Sequence, residues 1–206
     1  DFGAAIGRYA NRINQGRIVV EGKTIQLPQN NYAHCLHGGP TGWQYQVYDG
    51  TQVNDSTLTM SIFSPDGDNN FPGNVKAKVT YVLTSDNSID IRYEATTDRK
   101  TPINMTNHSY FNLNGDPSHD GENQMLYINA DNYTPADTTY MTTGEVRSVA
   151  GTPMDFRQLT PLSRNINNQN FDMTRNAGGF DHNWCLNTWR NGHGDDTQIA
   201  ASLYSP

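Results

Sequence analysis

The segment Asn107-His108-Ser109-Tyr110-Phe111-Asn112-Leu113 sets one titratable imidazole among hydroxyls, amides and aromatic rings. Histidine changes charge near neutral pH, so it can both give and take a proton there. Among groups that donate and accept hydrogen bonds, such an imidazole suits a pocket that holds a polyhydroxylated ligand and moves protons on it. Two upstream segments supply related chemistry. Gly7-Arg8-Tyr9-Ala10-Asn11-Arg12-Ile13 places Arg12 beside the amide of Asn11. A guanidinium there can fork two hydrogen bonds onto vicinal hydroxyls or fix a carboxylate. Leu36-His37-Gly38-Gly39 carries a second imidazole on a turn whose glycines let backbone and ligand approach closely. Farther along, Gly178-Gly179-Phe180-Asp181-His182-Asn183-Trp184 puts the Asp181 carboxylate between glycines and aromatics. Carboxylates accept hydroxyl protons, and aromatic rings offer a flat apolar face.

Each of these residues also has a plainer reading. His108 can be a satisfied structural histidine, His37 a turn residue, Arg12 half of a surface ion pair, and Asp181 a turn carboxylate. Asp155, two residues before Arg157, reads as a turn cap paired with that arginine. Metal chemistry finds little support. His34 and His37 have H-x-x-H spacing around Cys35, but on a strand they would face opposite ways and share no ion. Asp66-Gly67-Asp68-Asn69-Asn70 begins like a calcium loop, yet Phe71 and Ala77 stand where that loop needs Gly and Glu.

The elements that must position these residues are strands. Val75, Ala77, Val79, Tyr81 and Leu83 alternate with Lys76, Lys78, Thr80 and Val82. After Ser85-Asp86-Asn87-Ser88, the residues Ile89, Ile91, Tyr93 and Ala95 alternate with Asp90, Arg92 and Glu94. Period two on both sides of a turn predicts an antiparallel hairpin with one wet face. Leu58, Met60 and Ile62 predict a shorter strand before it. Ile18–Val20 and Thr24–Leu27 flank a Glu21-Gly22-Lys23 turn, and Leu126–Ala130 and Ile199–Tyr204 read as further strands. No helical stripe is sustained, and residues 165–174 allow a turn or two of helix at most. Many short strands with turns between them predict an all-β antiparallel sandwich or barrel. With no repeat and no low-complexity linker, residues 1–206 are expected to form one domain. The irregular stretch from 134 to 176 is long enough to serve a site.

Composition narrows the partners. A net charge of -7 and the absence of any basic run longer than Arg99-Lys100 argue against nucleic acid, which needs clustered Lys and Arg. No apolar run approaches the roughly 20 residues of a membrane span. Two cysteines, Cys35 and Cys185, make no disulfide framework and fit no zinc spacing, so both are expected as free, mostly buried thiols. The four Asn-x-Ser/Thr matches carry no weight in so Asn-rich a chain. Oligomeric state is open. The cytoplasm is the expected compartment, with export left open because the sequence starts at Asp1 as if cut from something longer.

Eight motifs then fall in a familiar order. They are Gly7–Ile13, Leu36–Gly39, Ser64-Pro65-Asp66-Gly67 with Phe71-Pro72-Gly73-Asn74, Thr106–Leu113, Tyr133–Asp137, Thr143-Gly144-Glu145, Gly151–Arg157 and Gly179–His182. With them the chain resembles the aldose 1-epimerase (galactose mutarotase) family over its whole length. The resemblance implies a large antiparallel β-sandwich, incomplete at both ends, with an open sugar cleft. It implies interconversion of the α and β anomers of a free aldohexose such as galactose or glucose, with a monosaccharide as substrate and no cofactor. By position, His108 is implied as the general acid that protonates the ring oxygen. Asn11, Arg12, His37 and Asp181 are implied to hold the sugar, with Ser109 and Tyr110 lining the pocket. The family's general base is a Glu near the C-terminus that follows a Gln. Glu21, Glu94, Glu122 and Glu145 do not match its context, so the base is expected beyond Pro206, and this chain is expected to be an internal piece. Two rival functions share the fold: a sugar-binding module without turnover, and an epimerase for a phosphorylated sugar. The second would want a basic cluster, which the composition lacks.

Overall fold

A computed structural model describes residues 1–206, and these form two compact units, Asp1–Tyr110 and Phe111–Pro206. The first contains β1 (Ala5–Ile6), β2 (Arg12–Ile13), β3 (Arg17–Val20), β4 (Lys23–Gln26), β5 (Cys35–Leu36), β6 (Asp49–Asn54), β7 (Thr57–Ser64), β8 (Val75–Leu83), β9 (Ile89–Thr97) and β10 (Thr106–Asn107). Strands β6 to β9 make a four-stranded antiparallel meander in chain order. The predicted hairpin runs in one unbroken register from Val75↔Thr97 to Leu83↔Ile89. Val75, Ala77 and Val79 are buried, and Val75 and Ala77 pack on Trp43 with Ile62, Ile103 and Met105 at the margin. Each buried side chain of valine size contributes about 1.5–3 kcal/mol.

Burial fades toward the hairpin turn, where Leu83 and Ile89 are 59% and 65% exposed. The alternation therefore foretells the pairing but overstates the buried face. The cluster around Trp43 covers the Val75 end only.

The β3–β4 hairpin pairs Arg17↔Gln26 through Val20↔Lys23. Its two turn residues, Glu21 and Gly22, have φ of 51° and 76°. Two positive φ values make the tight loop whose twist matches that of the strands. Beneath it Ile13, Leu27, Cys35 and Phe71 form a second small core. Both cysteines are free, as expected, and burial pushes the Cys35 thiol up to about 11. Strands β1, β2, β5 and β10 are two residues each, too short for any periodicity to foretell. They pair as β1–β10 and β2–β5.

The second unit contains β11 (Met125–Ile128), β12 (Ala130–Thr134), β13 (Arg147–Ser148), β14 (Thr160–Pro161), α1 (Asp172–Ala177), β15 (Asn183–Leu186), β16 (Trp189–Arg190), β17 (His193–Gly194) and β18 (Ala201–Tyr204). The strand predicted over 126–130 is divided at Asn129 between two sheets, β14-β11-β18 and β13-β12-β15. Asn129 itself makes the junction. Its N–H donates to Ala200 O, its Nδ2 to Ile199 O, and its carbonyl accepts from Asn187 N. The helix also differs from its prediction, beginning only at Asp172. The Asn-rich residues before it form side-chain turns, with Asn168 Oδ1 accepting from Asn170 N. Gly178, at φ 66°, ends it. Tyr133, Val149, Met154 and Met173 form one core and Ile128, Ala130 and Phe156 another, with Phe180 and Trp184 packed against both. No helix is long and apolar enough to cross a membrane.

Candidate active site

The short strands of the first unit hold several of the candidate residues. His108 directly follows β10. Its N–H donates to Ala4 O, and its own carbonyl accepts from Gly3 N, both at 2.9 Å. The chain before β1 thus clamps its backbone from both sides. One residue back, Asn107 Nδ2 donates to the Tyr81 hydroxyl, which ties β10 to the meander, and Asn107 Oδ1 accepts from Ser109 N. Ser109 and Tyr110 are exposed beyond that turn.

His37 follows β5 at φ 50°. Its N–H donates to Asn11 O, and its Nδ1 accepts from Asn11 N, each at 3.0 Å. An N–H aimed at Nδ1 requires a lone pair there, so the neutral ring carries its proton on Nε2 and presents a donor at its outer edge. Asn11, the partner, sits at φ 59°. Gly38 makes this turn possible. At φ 79°, a Cβ on it would lie 2.2 Å from Gly7 O, so no side chain fits between the His37 turn and the segment leading to Arg12.

The two imidazoles meet. The rings of His37 and His108 lie 5.2 Å apart, edge to face, and Tyr110 stacks on His108 at 5.3 Å. Both histidines are half-buried, with the exposed Tyr110 ring braced by Phe2 at 4.6 Å. Arg12 on β2, also half-buried, donates from Nη1 to Asn11 Oδ1 at 3.1 Å. One cluster therefore offers an imidazole that can exchange a proton, a second whose outer nitrogen is a donor, and a guanidinium bonded to Asn11, the backbone partner of the second. That set can bind adjacent hydroxyls and protonate an oxygen between them.

Asp181 belongs to the second unit, exposed on the turn between α1 and β15. Its backbone N–H donates to His182 Nδ1. The flanking aromatics do not stand out as a flat platform. Phe180 and Trp184 turn onto Phe156, with ring centroids 4.9 and 5.9 Å away, and Trp184 Nε1 donates to Met154 O. Asp155 does pair with Arg157, through bonds of 2.9 and 2.8 Å. The glutamates are occupied elsewhere. Glu21 and Glu94 pair with Lys100 and Lys78, Glu145 chelates Arg147, and Glu122 accepts from Asn167.

Arg8 escaped the sequence reading. It lies four residues before Arg12 in the same motif, yet it is a buried structural clamp, 2% exposed, over Phe71. Asp66–Asn70, which begins like a calcium loop, is part of its seat. Asp68 accepts from Ser64 Oγ, which in turn accepts from Arg8.

Burial also holds the His182 imidazole below its ordinary 6.5, against the opposing pull of Asp181 and Asp172. The unfolded chain then binds this proton more readily than the folded one. The stabilisation from neutral His182 is complete above pH 6.5 and drains away as the pH falls through the lower, folded value. Denaturation midpoints should decline below pH 6.5, and His182→Asn should flatten that decline; an unchanged slope in the variant would clear His182 of any part in it.

The whole chain, residues 1–206, matches the Aldose 1-epimerase family. It is 41% identical over 204 residues to aldose 1-epimerase of Escherichia coli (strain K12), covering 99% of this chain and 57% of that protein. It is 41% identical over 185 residues to galactose mutarotase of Homo sapiens, covering 90% of this chain and 52% of that one. The chain thus spans about half the length of the curated relatives it matches. The crystal structure of galactose 1-epimerase from Lactobacillus acidophilus NCFM superposes with a TM-score of 0.86 at 31% identity, over 99% of this chain and 58% of that one. The expected all-β, mutarotase-like sandwich fold is borne out by that match.

Proposed function

Because this chain belongs to the aldose 1-epimerase family, we propose that the protein carrying it interconverts the α and β anomers of free aldohexoses such as galactose and glucose. The observation that carries the proposal is the pairing of His37 and His108, 5.2 Å apart beside Arg12.

Opening a cyclic hemiacetal moves two protons. One leaves the C1 hydroxyl and another reaches the ring oxygen as the C1–O bond breaks, leaving a free aldehyde. His108 is assigned the second transfer, as general acid. Its ring lies against those of His37 and Tyr110 while its backbone is pinned, so the proton is delivered from a fixed point. His37 Nε2–H and the Arg12 guanidinium hold hydroxyls on the same ring. A separate carboxylate base takes the C1 hydroxyl proton; the Lys-paired Glu21 and Glu94 and the Arg-chelating Glu145 are not assigned that role. Rotation about C1–C2 then presents the other carbonyl face, and closure runs the same transfers in reverse. No net charge, redox change or cofactor enters this balance. Ser109 and Tyr110 line the pocket beside the acid, and Asp181, by its place in the family pattern, takes a sugar hydroxyl.

Polarimetry on freshly dissolved α-galactose and α-glucose tests the proposal. Faster approach to the equilibrium rotation with the protein present is the expected result. Binding of either sugar without acceleration would instead make this a carbohydrate-binding module on the same fold.

A further inference from the structure

Arg12 has a second fixed partner that none of the motifs contains. Its Nε donates to Asn31 Oδ1 at 2.9 Å. Nε is the donor nearest the aliphatic stem. Holding it fixes the plane of the guanidinium, and with it the direction in which the two terminal nitrogens face.

Asn31 is itself held firmly. Asn31 and His34 exchange backbone hydrogen bonds of 3.2 and 3.0 Å across a tight turn. His34 is 6% exposed, and its Nδ1 accepts from Gln15 N at 3.1 Å. Gln15 lies in the turn of Asn14–Gly16 that follows directly from β2, the strand bearing Arg12. The loop carrying Asn31 is therefore anchored to the same short segment as the arginine it orients. Neighbouring Asn30 continues the scaffold. Its side chain donates to Leu36 O and accepts from Leu36 N, fixing the strand that leads into His37.

We propose that Asn31 is the positioning residue for Arg12 and thereby sets the affinity of the site for its sugar. The inference rests on the functional reading above, in which Arg12 binds substrate hydroxyls. Asn31 does not reach the reacting atoms, so its effect falls on binding rather than on proton transfer.

The test compares Asn31→Val and Asn31→Asp in the protein carrying this chain, with KM and kcat for galactose and glucose from polarimetry and Kd for galactose from calorimetry. Valine removes the acceptor while filling much of the same volume. Aspartate keeps an oxygen for Nε. The expected result is a KM and Kd raised about tenfold in Asn31→Val with kcat within about twofold, and near-normal values in Asn31→Asp. Equal KM rises in both variants, an unchanged KM in Asn31→Val, or a loss confined to kcat would each overturn the assignment. An unmodified protein that neither turns over nor binds these sugars would instead overturn the functional reading, and this inference with it.

Discussion

His108→Asn should slow mutarotation by the protein carrying this chain by roughly 10²–10⁴ in kcat, the range a positioned proton donor supplies. Asparagine has a similar reach and can hydrogen-bond the ring oxygen, but it has no proton to transfer at neutral pH. Its backbone would remain in the clamp formed by Ala4 and Gly3, because those bonds use main-chain atoms only. The half-buried ring supports no core, so the variant should unfold near the normal midpoint. KM should change far less than kcat. His37→Asn should show the opposite split, with KM rising first, because the outward Nε2 donor contributes binding. A His108→Asn variant with normal kcat would remove His108 from the mechanism.

Arg8→Ala should cost about 3–5 kcal/mol of stability, a large share of the 5–15 kcal/mol typical of a folded domain. The guanidinium supplies Nε to Ser64 Oγ, Nη2 to Ser64 O and Oγ and to Pro65 O, and Nη1 to Pro72 O and Thr101 Oγ1. Removing it takes the guanidinium donors from the buried carbonyls of Ser64 and Pro72, and leaves Asp68 without the cation that faces it through Ser64. Burial pulls the Arg8 pKa below its ordinary value, and the nearby Asp68, Asp66 and Asp98 pull against that. Arg8→Lys should recover little, since an ammonium has three donors in a cone where this seat needs a planar fork. Urea denaturation of the protein measures the loss. A variant within 1 kcal/mol of the parent would mean that water substitutes for the clamp.

The contrast between Arg8 and Arg12 marks how far the chain could be read from its sequence. Both arginines stand in one heptad, four residues apart, and nothing local separates them. What separates them is the acceptor set. Arg8 meets main-chain carbonyls of Ser64, Pro65 and Pro72, and carbonyl acceptors leave no signature in residue type. The motif Ser64–Asn74 was visible, but its use as a seat for a buried cation was not. The β8–β9 hairpin was legible because nine paired positions repeat one alternation. The two-residue strands that fix His37 and His108 were invisible for the opposite reason, since two residues hold no period. His37 was legible through its glycines, and Gly38 is required here because a Cβ on it would overlap Gly7 O. Asn31 was silent, being one asparagine among many until a distance to Arg12 singles it out.

The measurement closest to the central claim is a galactose titration of isotopically labelled protein, followed through the imidazole nitrogens of His37 and His108 and the Nε of Arg12. Three signals moving together along one binding curve, with His37 keeping its proton on Nε2, is the predicted result. Saturable binding that shifts other residues and leaves the His108 ring untouched would contradict it.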